Sequence, residues 1–262
     1  MKYQLFIVAI TLLLGTISRL EAEELQLTGY AIMSLVDERD DGDDRQSELE
    51  MTLINHRGAT RVREMRSYGK EYGDDSKQVI VFLSPADVAG TGYLSWEYED
   101  EQCDDDRWLY LPALRMVRRI SGASNDDYFM GSDFTYDDMG DRNVDEDTHT
   151  LLREETLEGQ TCWVVESVPL NQDEQYKNRL IWVRQDNYMV IRAEYYDSMG
   201  LMKVLTVGNI RQVDGIWTAH SMFMDNLREE HQTRLTLSNV SYNQDLDDNI
   251  FTVTAIERGR VE

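Results

Sequence analysis

Arg179-Leu-Ile-Trp-Val-Arg184 and Tyr188-Met-Val-Ile-Arg-Ala-Glu-Tyr-Tyr196, with Gln185-Asp-Asn187 between them, read as two strands around a short turn. β-Branched and aromatic side chains favour pleated backbone. A turn this short returns the chain antiparallel, because a parallel return needs a long crossover. The pattern extends outward in both directions. Trp163-Val-Val-Glu-Ser-Val168 precedes the pair, and Leu201–Val207, Trp217–Met224 and Thr233–Val240 follow, with Asp214-Gly215 as a turn signal. Upstream, Glu48–Ile54 alternates: Leu49, Met51 and Leu53 share one face, Glu48, Glu50 and Thr52 the other. Val79–Leu83 is a continuous apolar run stopped by Pro85. Ala31–Val36 reads as a further strand, facing Ser47–Asn55 across an acidic loop. Short helices are expected at Pro85–Val88, near Thr135–Asp138 and at the C-terminal end. The chain is therefore mainly β and mostly antiparallel. A closed eight-stranded barrel, a β-sandwich and an open barrel all satisfy this pattern.

No long linker, Pro-rich segment or internal repeat divides the 262 residues. Lys2 and the apolar run Leu5–Leu14, interrupted only by Thr11, are too short for a ~20-residue membrane span and read as a secretory signal. Residues 1–22 are the expected leader, cut after Ser18 or Ala22, and 23–262 a single β domain exported to the periplasm. No Cys lies near the leader to carry a lipid. Asp and Glu number 50 against 26 Lys and Arg, a net charge of -24. That charge repels nucleic-acid phosphates and anionic membrane surfaces. With 41% hydrophobic residues the chain is still no disordered acidic polymer.

Against that background Arg107–Ser121 stands out as a basic, aromatic island holding Arg107, Arg115, Arg118 and Arg119. Acidic runs flank it, Glu97–Asp106 before and Asp126-Asp127 after. Its arginines either neutralise the protein's own carboxylates or meet an anionic ligand or partner. Trp108 and Tyr110 share one strand face, Leu109 and Leu111 the other, and parity alone does not say which turns inward. Arg61, Arg63 and Met65 likewise share a face, as do Met222 and Met224, whose flexible thioethers suit a soft pocket or ordinary core.

His56, His149, His220 and His231 are not at metal-ligand spacing from one another, and no H-E-x-x-H, C-x-x-C, G-x-S-x-G or P-loop occurs. No catalytic residue, metal or cofactor is assigned, and an enzyme is not expected. Asp37–Gly42 with Glu48 partly follows a calcium loop, but Arg39 stands where an oxygen ligand belongs; a solvated loop fits better. Cys103 and Cys162 permit one disulfide in an exported protein, which would enclose the island and stabilise by roughly 3–4 kcal/mol. Two free thiols, with Cys162 buried in a strand beside Trp163, fit equally well.

Trp108-Leu-Tyr-Leu-Pro112, Arg115, Arg118-Arg119-Ile-Ser121, Phe129-Met-Gly-Ser-Asp-Phe134 and Tyr136-Asp-Asp138 follow Phe82-Leu-Ser-Pro-Ala-Asp-Val-Ala-Gly-Thr91 and precede Asp247-Asp-Asn-Ile-Phe-Thr252. In this order and spacing the set resembles bacterial outer-membrane lipoprotein-sorting proteins, relatives of the periplasmic carriers LolA and LolB. The resemblance implies a curved, incomplete antiparallel β-barrel with a few short helices closing an apolar cavity. It implies a monomeric carrier of lipid or lipoprotein acyl chains, with an inner-membrane transporter of the resistance-nodulation-division (RND) type as partner. Arg115, Arg118 and Arg119 would then stand at the cavity rim, and the island with Trp108, Tyr110, Leu111 and Pro112, together with Ser132, Asp133 and Phe134, would form the docking surface or the cavity mouth. A lipid- or protein-binding module that senses the envelope without transport is the alternative.

Overall fold

The chain lays down strands from the middle of one antiparallel sheet to an edge, crosses over, and returns to the middle from the other edge. The computed structural model describes residues 27–100 and 103–259. The expected leader lies outside the described residues. The outward run is β1 (Asp44–Ile54), β2 (Thr60–Tyr72), β3 (Asp75–Ser84), β4 (Gly92–Glu97), β5 (Asp106–Leu111) and β6 (Met116–Ile120). Residues 121–146 then cross the sheet with four short 3-10 turns. The return is β7 (Asp147–Leu157), β8 (Gln160–Pro169), β9 (Asn178–Arg184), β10 (Val190–Asp197), β11 (Gly200–Val213), β12 (Ile216–Asn226) and β13 (His231–Tyr242). β13 pairs with β1, which makes one sheet of thirteen strands with β6 and β7 at its two ends. The expected incomplete barrel is thus a curved open sheet.

The registers show which residues face the interior. In successive rows, Leu109 pairs with Tyr93 and Tyr93 with Ile80, Leu49 pairs with both Met65 and Leu237, and Met224 pairs with Leu205. Period-two alternation keeps these residues on one face, and they form the main core with Met51, Leu53, Phe82, Ile120 and Leu235. Met222 and Met224 lie on this face, Met224 fully buried. Leu109 and Leu111 also face inward, which settles the parity of the island. Trp108 and Tyr110 turn outward, where Trp96 meets Trp108 edge to face at 5.1 Å.

The second helix, α2 (Val253–Arg258), covers that outer face, burying Ala255 and Ile256 against Tyr68, Val79 and Leu94. Thr252 caps its start by accepting from Ala255 N, and Gly259 ends it in the left-handed conformation that glycine adopts without strain. Gly92 lets the helix approach: a Cβ there would lie 2.8 Å from Ile256 Cβ.

Residues 31–36, expected as a strand, belong instead to a helix, α1 (Gly29–Asp37). Thr28 Oγ1 accepts from Ala31 N as an N-cap, and Ile32 is buried against Val165 and Val183. A short apolar run satisfies either period, and the cap and these distant partners decide it. The helix expected at Pro85–Val88 is a turn held by Val88 N and Ala89 N donating to Pro85 O. Near Thr135–Asp138 the chain forms a single 3-10 turn, Asp137–Met139.

Candidate functional site

The segment 121–146 does for this sheet what a second sheet does in a sandwich: it covers the concave face. Phe129, Phe134 and Tyr136 enter the main core, Phe129 wholly buried. Phe129 lies 5.2 Å from the Tyr93 ring, 5.6 Å from Tyr136 and 6.0 Å from Phe82. A backbone that spans a sheet without joining its ladder must satisfy its polar groups by side chains.

Two carboxylates supply those anchors. Thr233 Oγ1 donates to Asp133 Oδ2 at 2.7 Å and accepts from Asp133 N at 2.9 Å. His231 Nδ1 lies 2.7 Å from the same Oδ2. The second anchor is Asp138, which accepts from the ammonium of Lys203 and from Tyr176 OH at 3.2 Å. Lys203 is fully buried, donates to Asp133 O at 3.2 Å, and has Tyr176 and Tyr195 ring centres at 4.8 and 5.0 Å. A buried ammonium with an ion-pair partner, a carbonyl and two ring faces is well compensated. On β2 Arg63 donates to Met130 O, and beside Lys203 and His231 Asn226 Nδ2 donates to Tyr128 OH at 2.9 Å.

Apolar surface inside the barrel is therefore packed shut by the crossing aromatics, while the open space is polar. Three adjoining cavities of about 500, 640 and 260 Å³ share Asp141 and are bounded by the C-terminal end of α1, the ends of β2 to β5 and residues 139–146. Glu97 is buried and accepts from Asp141 N at 2.8 Å. Burial, then the charge of Asp141, push its carboxyl up to about 8. Asp141 is reached by solvent yet ringed by protein, and that enclosure raises its carboxyl too. Glu71 is pushed up to about 7, first by burial and then by Asp41 and Asp141. Asp37 and Asp41, expected in a solvated loop, line the same space, and Arg39 beside them donates to Trp217 O at 3.2 Å. Arg142 closes one side, its guanidinium 2.7 Å from Asp147 and 2.9 Å from Glu174.

The sequence-predicted site residues divide into separate groups. Ser132, Asp133 and Phe134 are buried in the crossing segment, so in this conformation they anchor it rather than present a surface. Arg118 and Arg119 point to opposite faces of the edge strand β6, opposite Leu109 and Trp108 respectively. Arg119 pairs with Asp106, an ion pair within the protein itself. Arg115 is exposed in the β5–β6 turn at φ 50°, and Pro112 packs toward Gly90. Leu111 packs on the main core, Trp108 and Tyr110 on the outer cluster. The two cysteines are not bonded: Cys103 is exposed in the β4–β5 loop and Cys162 is buried beside Trp182 and Ile191. Lys203, Glu97 and Asp141 were not among the expected site residues, and Asp138 stood out only as part of the Tyr136-Asp-Asp138 motif. Lys203 leaves a trace there as a base sharing strand parity with Leu205.

A DUF1329 family protein from Desulfovibrio piger superposes with a TM-score of 0.83 at 38% identity, over 87% of this chain and 97% of that one. The chain belongs to the DUF1329 family. A family model described only as that of an uncharacterized protein matches residues 74–258. A Vibrio parahaemolyticus structure described as an outer membrane lipoprotein-sorting protein domain is 33% identical, with a TM-score of 0.83 over 88% of this chain and 98% of that one. A LolA superfamily protein from Nitrosomonas europaea, 22% identical with a TM-score of 0.68 over 87% and 98% of the two chains, shares the fold. No curated protein matches the chain. This DUF1329 chain is thus LolA-like in architecture, as its motifs imply.

Proposed function

We propose that the protein is a periplasmic carrier that shelters lipid or lipoprotein acyl chains on the concave face of its open barrel. The observation that supports this is the manner of closure. An apolar concave sheet is ordinarily buried by a facing sheet or by closing the barrel with a hydrogen-bonded ladder. Here it is covered by residues 121–146, tied down by separate anchors at Asp133 and Asp138. Displacing that segment offers Leu49, Met65, Phe82, Tyr93, Leu109 and Leu235 to acyl chains, each buried methylene contributing about 0.8 kcal/mol. The sorting-domain description of the Vibrio relative points the same way.

Arg118 stands exposed at the free edge of β6 on the inner face, where it acts on Tyr136 of the crossing segment. In this reading it meets an anionic headgroup by charge-assisted hydrogen bonds, and an RND-type transporter receives or supplies the cargo. Uptake of a fluorescent acyl lipid, followed by its transfer to acceptor vesicles, tests the assignment. Arg118→Glu/Arg119→Glu is expected to weaken loading or docking while leaving the circular dichroism unchanged. Full loading and docking in that variant would remove the arginines from the site. Loading without transfer would favour an envelope sensor over a carrier.

A further inference from the structure

The open interior has acids without enough bases. Nine Asp and Glu side chains line the cavity of about 500 Å³ with Arg39 and Arg142, and from beside it Arg107 offsets Asp105 and Glu97 while Arg45 offsets Glu71 and Asp141. Among the described residues no three His, Cys, Asp or Glu side chains are grouped to hold a metal ion. The acids are spread around a volume, as suits a ligand larger than one ion.

A second observation comes from the sheet beneath. Gln78, Ser95 and Arg107 lie side by side across β3, β4 and β5. Gln78 Oε1 and Arg107 Nε have no hydrogen-bond partner among the described residues, and Ser95 Oγ has only the buried Tyr93 hydroxyl near it. Ser95 is completely buried, and the Arg107 side chain is 3% exposed with only its Nη2 engaged, by Asp105 at 2.8 Å. Arg107 lines the second cavity and Gln78 the third. Buried polar atoms are rarely left unpaired. Here two flank Ser95, beside Glu97, the residue two places on.

We propose that this acid-walled space binds an ammonium-bearing ligand, the ammonium lying among Glu97, Asp141 and Glu71 and a neighbouring oxygen accepting from Arg107 Nε. Ammonium–carboxylate contacts in a partly desolvated space are the strong, charge-assisted kind. Burial first, and mutual repulsion after it, raise these carboxyls, and a bound cation relieves the repulsion. The third cavity joins this wall to Met139, Met222 and Leu237 of the apolar core. The ammonium therefore belongs either to the head of an amino lipid, which rests on the carrier reading, or to a free polyamine, which does not.

Calorimetric titration of the purified protein with spermidine, with a short-chain phosphatidylethanolamine below its micellar concentration, and with the matching phosphatidylglycerol separates these sources. Glu97→Gln/Asp141→Asn is compared with Glu229→Gln/Glu230→Gln, which removes two carboxyls from the exposed β12–β13 turn. The cavity variant is expected to weaken amine binding about tenfold or more, and the turn variant to leave it unchanged. Should the cavity variant fail to fold, Asp41→Asn/Glu71→Gln, at solvent-reached positions of the same wall, is read in its place. Binding of the phosphatidylethanolamine supports the lipid source. Binding of spermidine alone supports the free amine and holds even if no acyl lipid is carried. Binding of neither amine, equal loss in both variants, or equal binding of the phosphatidylglycerol overturns the proposal.

Discussion

Phe129→Ala tests whether the crossing segment is truly part of the core. Phe129 is fully buried and has three aromatic neighbours within 6.0 Å, centre to centre. Two of them, Phe82 and Tyr93, belong to the sheet, so the side chain joins the crossing segment to the strands. Removing a buried ring forfeits its transfer free energy and leaves a cavity, which together cost about 3–5 kcal/mol for Phe→Ala. Two of the three neighbours are rings fixed by strands, which collapse poorly into the void, so about 4 kcal/mol is expected. Domains are stable by about 5–15 kcal/mol in total, so the variant folds with much reduced margin. Urea denaturation followed by tryptophan fluorescence reads the change as a lower midpoint at similar slope. Leu114→Ala, at 64% exposure in the β5–β6 turn, serves as the control and should stay within about 0.5 kcal/mol. A loss below about 1 kcal/mol for Phe129→Ala, with unchanged slope, would refute the claim that residues 121–146 are packed against the sheet.

Three further outcomes follow from particular contacts. Gly29→Ala should destabilise by about 1–3 kcal/mol in thermal unfolding despite alanine's better helix propensity, because the added Cβ would meet the His149 backbone at 2.6 Å; a stabilised variant would mean that α1 is not seated on β7. Thiol titration without reductant should find one reactive thiol in the native protein, Cys103, and two after denaturation, whereas none after denaturation would mean a disulfide. Glu97 has a folded pKa of about 8, above its ordinary value of 4.5, so the folded state holds a proton that the unfolded state has released. Its contribution to stability is therefore present below about pH 4.5 and is lost as pH rises toward 8. Glu97→Gln should unfold with a smaller loss of stability than the parent between pH 5 and pH 8, and an unchanged slope in stability against pH across that window would contradict the burial of this carboxyl.

Strands were legible because their signal is local. Leu49, Met51 and Leu53 alternate with polar neighbours, and Asp214-Gly215 turns the chain wherever the rest of the molecule lies. Residues 31–36 misled because six apolar-rich positions fit a strand as well as a helix, and the deciding partners, Val165 and Val183, lie more than 130 residues away. The island's parity was visible, but its inward side depended on Tyr93 and Phe82, which no local pattern places. Within the site, Ser132–Phe134 stood out as a motif, yet its role as an anchor needed His231, Thr233 and Lys203 from distant strands. The acid-walled interior was hidden by abundance: with 50 acids in the chain, spacing alone cannot tell Glu97 and Asp141 from those that only face solvent. Arg119 illustrates the opposite case, since a conspicuous arginine proved to neutralise its own neighbour, Asp106.

The most direct measurement of the carrier reading is the native mass of the protein recovered from periplasm without detergent. Extra mass that denaturation releases as an acyl lipid is the predicted result, and it would also reveal whether the head carries an amine. A mass equal to that of the bare chain, with no uptake of fluorescent lipid afterwards, would contradict the assignment.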